Sequence, residues 1–125
     1  EKRIKILKPY TKWIRSFSCI EGNEHIPKLA KKHGIKTMVG AWLGTDLEKN
    51  EKEIEALIEL GNQGLVDIAA VGNEVLYRDE LSIEQLIGYL NRVKNALPQV
   101  QVGYVDAYYK FSKRRCVLYR ESSKI

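Results

Sequence analysis

Glu74 stands in the run Val71-Gly72-Asn73-Glu74, where an apolar stretch gives way to a glycine, an amide and a carboxyl. A carboxyl held there, partly out of water at the end of a buried strand, suits a general acid. Asn73 beside it can hold a substrate hydroxyl. The plainer reading is a solvated glutamate opening a loop, since polar residues at strand ends are common. Arg15, Ser18, Trp42, Tyr104 and Asp106 fall at the corresponding ends of the other strand-like runs. Such a set fits a sugar site: aromatics stack on pyranose faces, polar groups bond hydroxyls and a carboxyl handles the proton. Arg15 lies between Ile14 and Phe17, so it either pairs with a carboxylate or points to solvent. Trp42 reads as a stacking platform or a core aromatic, and the residues alone favour the core. His25 and His33 lie eight apart on or beside one helix, which is surface spacing and not that of a metal pair. No metal site is expected.

These residues must be positioned by alternating strands and helices. Ile4, Leu7 and Tyr10 recur at helical spacing among lysines in residues 1–10, and residues 13–17 form a short β-rich run. Asn23 is a candidate N-cap for a helix that buries Ile26, Leu29 and Ala30 and closes at Gly34. Residues 36–42 form the second strand. A helix over about 47–61 buries Ile54, Leu57, Ile58 and Gly61, with Glu51, Lys52, Glu53 and Glu55 read as solvated. The run Val66 to Val71 is nearly all apolar, as in a strand buried on both faces. Ser82-Ile83-Glu84-Gln85 is a capping box, followed by a stripe of Ile83, Leu86, Ile87, Leu90, Val93 and Leu97 that Pro98 ends. The fourth strand covers residues 100–105. This alternation predicts βαβ units and a parallel sheet, hence an α/β fold: part of a (β/α)8 barrel or a small doubly wound sheet. A single glycine after the first strand excludes a dinucleotide fingerprint, and no Gly-Lys-Ser/Thr end supports a P-loop.

The 125 residues suit one domain. The net charge of +5 would fit a nucleic-acid partner only if the folded part carried it. Residues 1–106 hold 15 basic and 15 acidic residues, so the excess lies in 107–125, read as a basic, irregular tail. No nucleic-acid partner is therefore expected. No apolar run is long enough to span a membrane, and the charged start Glu1-Lys2-Arg3-Ile4-Lys5 lacks the apolar core of a secretory signal. Cys19 and Cys116 could form one bridge; their spacing favours two free thiols.

Taken together, Trp13-Ile14-Arg15-Ser16-Phe17, the stretch Gly34 to Leu43 and above all Ala70-Val71-Gly72-Asn73-Glu74-Val75-Leu76-Tyr77-Arg78 resemble glycoside hydrolase family 17, of the β-1,3-glucanase and glucan-transglycosylase type. The resemblance runs over about residues 1–110. It implies a (β/α)8 barrel whose second to fifth strands are those read here, over residues 1–106. It implies Glu74 as acid/base, Asn73 on the sugar, and Arg15 as the arginine supporting the catalytic carboxylates; Trp42, Tyr104 and Asp106 stand as further substrate contacts by their strand-end positions. It implies retention on β-1,3-glucans without a cofactor, in a cell-envelope or secreted setting.

Retention requires a second carboxyl as nucleophile, which the family places on the seventh strand, beyond the strands read here. Residues from Phe111 onward lose periodicity and turn basic, the pattern of a truncated or frame-shifted end. The expectation is a fragment with an acid/base and no nucleophile, inactive alone and prone to self-association through open sheet edges. The alternative is a non-catalytic module that binds glucan or an anionic surface.

Overall fold

The computed structural model describes residues 1–107. The elements run α1 (Lys2–Leu7), β1 (Trp13–Ser16), α2 (His25–Lys32), β2 (Lys36–Ala41), α3 (Leu47–Asn62), β3 (Ile68–Asn73), α4 (Ile83–Ala96) and β4 (Gln101–Val105). The four strands form one parallel sheet in the order β1-β2-β3-β4. The α/β reading from the sequence holds. The main core lies where α3 and α4 pack on the sheet: Val39, Ala41, Ala69 and Val71 meet Ile54, Leu57, Leu86, Leu90 and Val93. A smaller cluster joins Ile4, Ala30 and Ile35. Strand residues of the other parity, Trp13, Arg15, Lys36 and Gln101, are exposed. Among the described residues the sheet therefore has one face covered by helices and two open outer strands.

The capping box at α4 is complete: Ser82 Oγ accepts from Gln85 N at 3.1 Å, and Gln85 Oε1 accepts from Ser82 N at 3.0 Å. Tyr89 rather than Ile87 packs on the core from this helix. Asp46 caps α3 by accepting from Lys49 N. Several expectations are corrected. Asn23 is not the cap of α2; that position is Glu24, and Asn23 instead bonds Ile20 O at 2.9 Å to close the preceding turn. Leu7 and Tyr10 are exposed because α1 ends before Tyr10 and buries Ile4 alone. His33 is only partly exposed, with Nε2 3.5 Å from Glu1 Oε1. Glu53, read as solvated, has no exposed surface at all.

β3 begins two residues later than the apolar run suggests. Val66 and Asp67 precede the ladder: Asp67 N donates to Thr37 O at 3.3 Å, but Thr37 N donates at 2.9 Å to the Asp67 side chain, Oδ2, rather than to a backbone carbonyl. At its other end β3 continues through Gly72 to Asn73, with an irregularity between Ala70 and Asn73. Two close approaches fix the sheet near this end. A Cβ on Gly40 would lie 2.8 Å from Ser16 O and 3.1 Å from Phe17 Cα, both backbone atoms of the neighbouring strand end. Gly40→Ala must therefore spread β1 from β2; we expect a loss of about 1–3 kcal/mol in urea unfolding. Cys19 is a free, buried thiol, and burial followed by the Glu53 and Glu24 charges pushes its pKa up. Cys116 and the basic stretch after residue 107 lie outside the described residues. No helix among the described residues is long and apolar enough to cross a membrane.

Candidate active site

The carboxyl ends of the strands bring Arg15, Trp42, Asn73 and Glu74 to one rim of the sheet. Asn73 is the last residue of β3, opposite Val105, and Glu74 N donates to Val105 O at 2.8 Å. Gly72 has φ +86°, and that left-handed backbone is what favours glycine, since a Cβ there would only touch the Tyr104 ring and Leu86 at 3.4–3.5 Å. Glu74 itself has φ +56°, left-handed backbone that a residue with a Cβ rarely adopts. This costs about 1 kcal/mol and persists only where surrounding contacts enforce it. Here they do. Val75, Leu76 and Leu81 are buried, and Arg78 N and Glu80 N bond back to Glu74 O and Val75 O, each at 2.9 Å. The turn so formed holds the Glu74 side chain at the rim, 46% exposed. The described residues thus leave about half of it in water, less enclosed than a carboxyl at the end of a buried strand was expected to be.

Arg15 reaches from β1 across β2 to β3. Its Nη2 donates to Asn73 Oδ1 at 2.7 Å, and its guanidinium lies 4.3 Å from the centre of the Phe17 ring. Of the two alternatives, a carboxylate partner or solvent, neither holds alone: Arg15 is exposed, and its partner is an amide whose orientation it fixes. Trp42 is 38% exposed and lies at the rim rather than in the core, correcting the reading favoured by the residues alone. Arg78 covers it, 4.9 Å from the ring centre. Arg78 also makes an ion pair with Glu80 at 2.9 Å and stands 4.0 Å from Glu74 Oε2. The Glu80 carboxylate beside it holds the guanidinium more firmly protonated.

Tyr104 and Asp106, expected as sugar contacts, are engaged within the protein. Tyr104 is 6% exposed. Its hydroxyl accepts from Leu76 N at 3.0 Å and donates to Asp106 Oδ2. Asp106 also accepts from Tyr77 N at 3.3 Å and Ala107 N at 2.6 Å. Both tie the Glu74 turn to β4. Ser18 likewise faces inward, donating to Glu53 Oε1 at 2.5 Å.

Burial first, and then the bond to Asp106, pushes the Tyr104 phenol well above its ordinary value of 10.0. The folded chain holds this proton more tightly than the unfolded chain does. Its contribution to stability is therefore complete below about pH 10 and lost as pH rises beyond the ordinary tyrosine range. Tyr104→Phe leaves Leu76 N unpaired, for an expected loss of about 1–3 kcal/mol at neutral pH. The variant should also show a shallower decline of stability at alkaline pH, checked by urea unfolding on both sides of the tyrosine range.

Sequence reasoning did not single out Glu53, Arg78 or Glu80. The signal for Glu53 was available: Asn50, Glu53, Leu57 and Leu60 recur at helical spacing, and all are buried. Among the described residues no group of three or more His, Cys, Asp or Glu side chains could hold a metal ion.

Residues 1–122 match the model of the BtgE/BtgC glycoside hydrolase domain. The chain belongs to this family. Within this glycoside hydrolase domain, a glucan 1,3-beta-glucosidase of Arthroderma benhamiae is 28% identical over 118 residues, covering 90% of the chain and 37% of the relative. A glucan 1,3-beta-glucosidase of Candida albicans is 23% identical over 123 residues, covering 86% and 40%. The fold superposes on a glycoside hydrolase family 17 beta-1,3-glucanosyltransferase of Rhizomucor miehei with a TM-score of 0.78 and 29% identity, over 88% of the chain and 44% of that enzyme. An active-site mutant of the same enzyme in complex with laminaritriose gives a TM-score of 0.77. The resemblance to family 17 read from the residues is correct, and the chain spans about two fifths of the length of these relatives.

Proposed function

We propose that this domain carries the acid/base half of a retaining β-1,3-glucan-active site, in a glucan hydrolase or transglycosylase. The observation that supports it most is the strained backbone of Glu74, held at the sheet rim directly after an asparagine that Arg15 orients. In this reading Glu74 protonates the departing glycosidic oxygen. It then takes a proton from the water or sugar hydroxyl that resolves the glycosyl-enzyme. Asn73 bonds a hydroxyl of the sugar, and Trp42 offers it an apolar face. Arg15, Tyr104 and Asp106 act behind these groups, by orienting Asn73 and tying down the Glu74 turn.

The nucleophile, about 5–5.5 Å from the acid/base in a retaining site, is assigned to a carboxylate beyond residues 1–107. Among those residues the acids that directly follow strands are Glu74 and Asp106, and Asp106 is taken up by Tyr104, Tyr77 and Ala107. Incubation with laminaritriose tests both halves of the proposal. Amide and side-chain resonances of Trp42, Asn73 and Glu74 should shift on titration, with no glucose released. Release that vanishes in Glu74→Gln would show that the chain completes its own site. Absence of binding would overturn the glucan reading. The non-catalytic alternative predicts turnover that persists unchanged when Glu74 is replaced inside a completed, active barrel. Salt-sensitive anion binding lost on deleting residues 107–125 would favour a surface-binding role.

Among the described residues the outer strands β1 and β4 present unpaired ladder edges, and Trp13 and Phe17 beside one of them are 43% and 49% exposed. We expect association that grows with concentration in sedimentation velocity. A sharp monomer boundary at millimolar protein would contradict it.

A further inference from the structure

Arg78 is the charged group that connects the parts of this rim. Its backbone belongs to the turn that begins at Glu74, through the Arg78 N to Glu74 O bond of 2.9 Å. Its guanidinium lies over Trp42 at 4.9 Å from the ring centre and 4.0 Å from the Glu74 carboxylate. It is anchored by Glu80 at 2.9 Å, and the two atoms in that contact, Arg78 Nη2 and Glu80 Oε2, are shut off from solvent. Glu80 in turn lies against Gly44, two residues beyond Trp42 on the same loop: a Cβ built on Gly44 would be 3.6 Å from Glu80 Oε2.

We infer that Arg78 is a positioning residue for the site: clamped by Glu80, its guanidinium sets the Trp42 ring relative to the Glu74 carboxylate. A glucosyl unit resting on Trp42 then presents its glycosidic oxygen to Glu74. This rests on Glu74 acting as acid/base, but the hold on Trp42 can be measured separately. The physical grounds are two. A planar guanidinium over an indole fixes the ring through its face as well as its edge. Trp42 and Glu74 follow different strands, β2 and β3, so a contact made to both is what couples their positions. The positive charge lies close enough to Glu74 to draw the carboxylate toward Trp42, while Glu80 keeps the guanidinium from swinging out to water.

The test starts from the chain without ligand. Indole signals are followed by 15N–1H correlation NMR and acrylamide quenching, with Trp13→Phe used to assign Trp42. Arg78→Lys keeps the charge and loses the flat group. Glu80→Gln keeps the size of the clamp and loses its charge. Both should move the Trp42 indole resonance and raise its quenching about twofold, while amides of α3 and α4 remain in place. Laminaritriose affinity should fall roughly tenfold in Arg78→Ala, with partial recovery in Arg78→Lys. A Trp42 signal unchanged in all three variants overturns the inference. So does an affinity loss without any change at Trp42, because Arg78 would then be a direct sugar contact. If the unaltered chain binds no laminaritriose, the glucan reading fails, and the ligand-free Trp42 signals still decide whether Arg78 holds the ring.

Discussion

Glu53→Leu is expected to destabilise the fold by about 3 kcal/mol and to lower the melting temperature by roughly 10 °C. The Glu53 carboxyl has no exposed surface and accepts from Ser18 Oγ at 2.5 Å and Cys19 N at 2.8 Å. Leucine matches the volume but takes away both acceptors, leaving a hydroxyl and a buried N–H unpaired at about 1–3 kcal/mol each. The consequence reaches the site. Ser18 and Cys19 follow β1, so Glu53 fastens the end of β1 to α3, and β1 carries the arginine that orients Asn73. Ser18→Ala removes the donor to Glu53 and the acceptor of a long bond from Ile20 N at 3.3 Å, while Cys19 N keeps its acceptor, so its loss should be smaller, about 1 kcal/mol. Urea unfolding of the two variants beside the parent chain checks the order; equal losses would mean that the Cys19 bond contributes nothing.

That residue also shows where sequence reasoning stops. The alternation of strands and helices, the α4 capping box and the strand-end placement of Asn73 and Glu74 were legible because each rests on local chemistry: the period of the apolar runs, a Ser-x-x-Gln pair, a Gly-Asn break. Glu53 was not, because a glutamate between Lys52 and Ile54 reads as solvated unless its partners are known, and those lie 34 and 35 residues away. Arg78 and Glu80 were missed for a related reason. Their roles arise only when the turn after β3 folds against the loop after β2. The late start of β3 has the opposite origin. Apolar character there continues past the point where the Asp67 side chain takes the Thr37 N–H, so composition overran the ladder.

Glu74→Gln should leave laminaritriose binding by the chain within about twofold, while lowering turnover in a completed barrel by about 10²- to 10⁴-fold, the usual worth of a general acid/base. Glutamine keeps the shape and can still bond a sugar, but its amide does not deliver a proton. Glu74→Gly should be lost in activity in the same way, yet it should raise stability by about 0.5–1 kcal/mol, since glycine accepts φ +56° without the Cβ penalty. A residue whose removal stabilises the fold is being kept in place at a cost, which is what a functional carboxyl on strained backbone requires. If Glu74→Gly instead destabilises, the turn is held by the side chain, and the strain argument fails.

If Glu74 moves a proton, the leaving group reports on it directly. Residues 1–107 can replace the matching segment of the Rhizomucor miehei glucanosyltransferase, which supplies the remainder of a barrel. Cleavage of a laminari-oligosaccharide, whose departing alkoxide needs protonation, is then compared with release of 2,4-dinitrophenolate from an activated β-glucoside, which needs none. With Glu74→Gln we predict a loss of about 10²- to 10⁴-fold on the oligosaccharide and an undiminished first burst of dinitrophenolate. An equal loss on both substrates, or none on the oligosaccharide, would contradict the assignment of Glu74 as the acid/base.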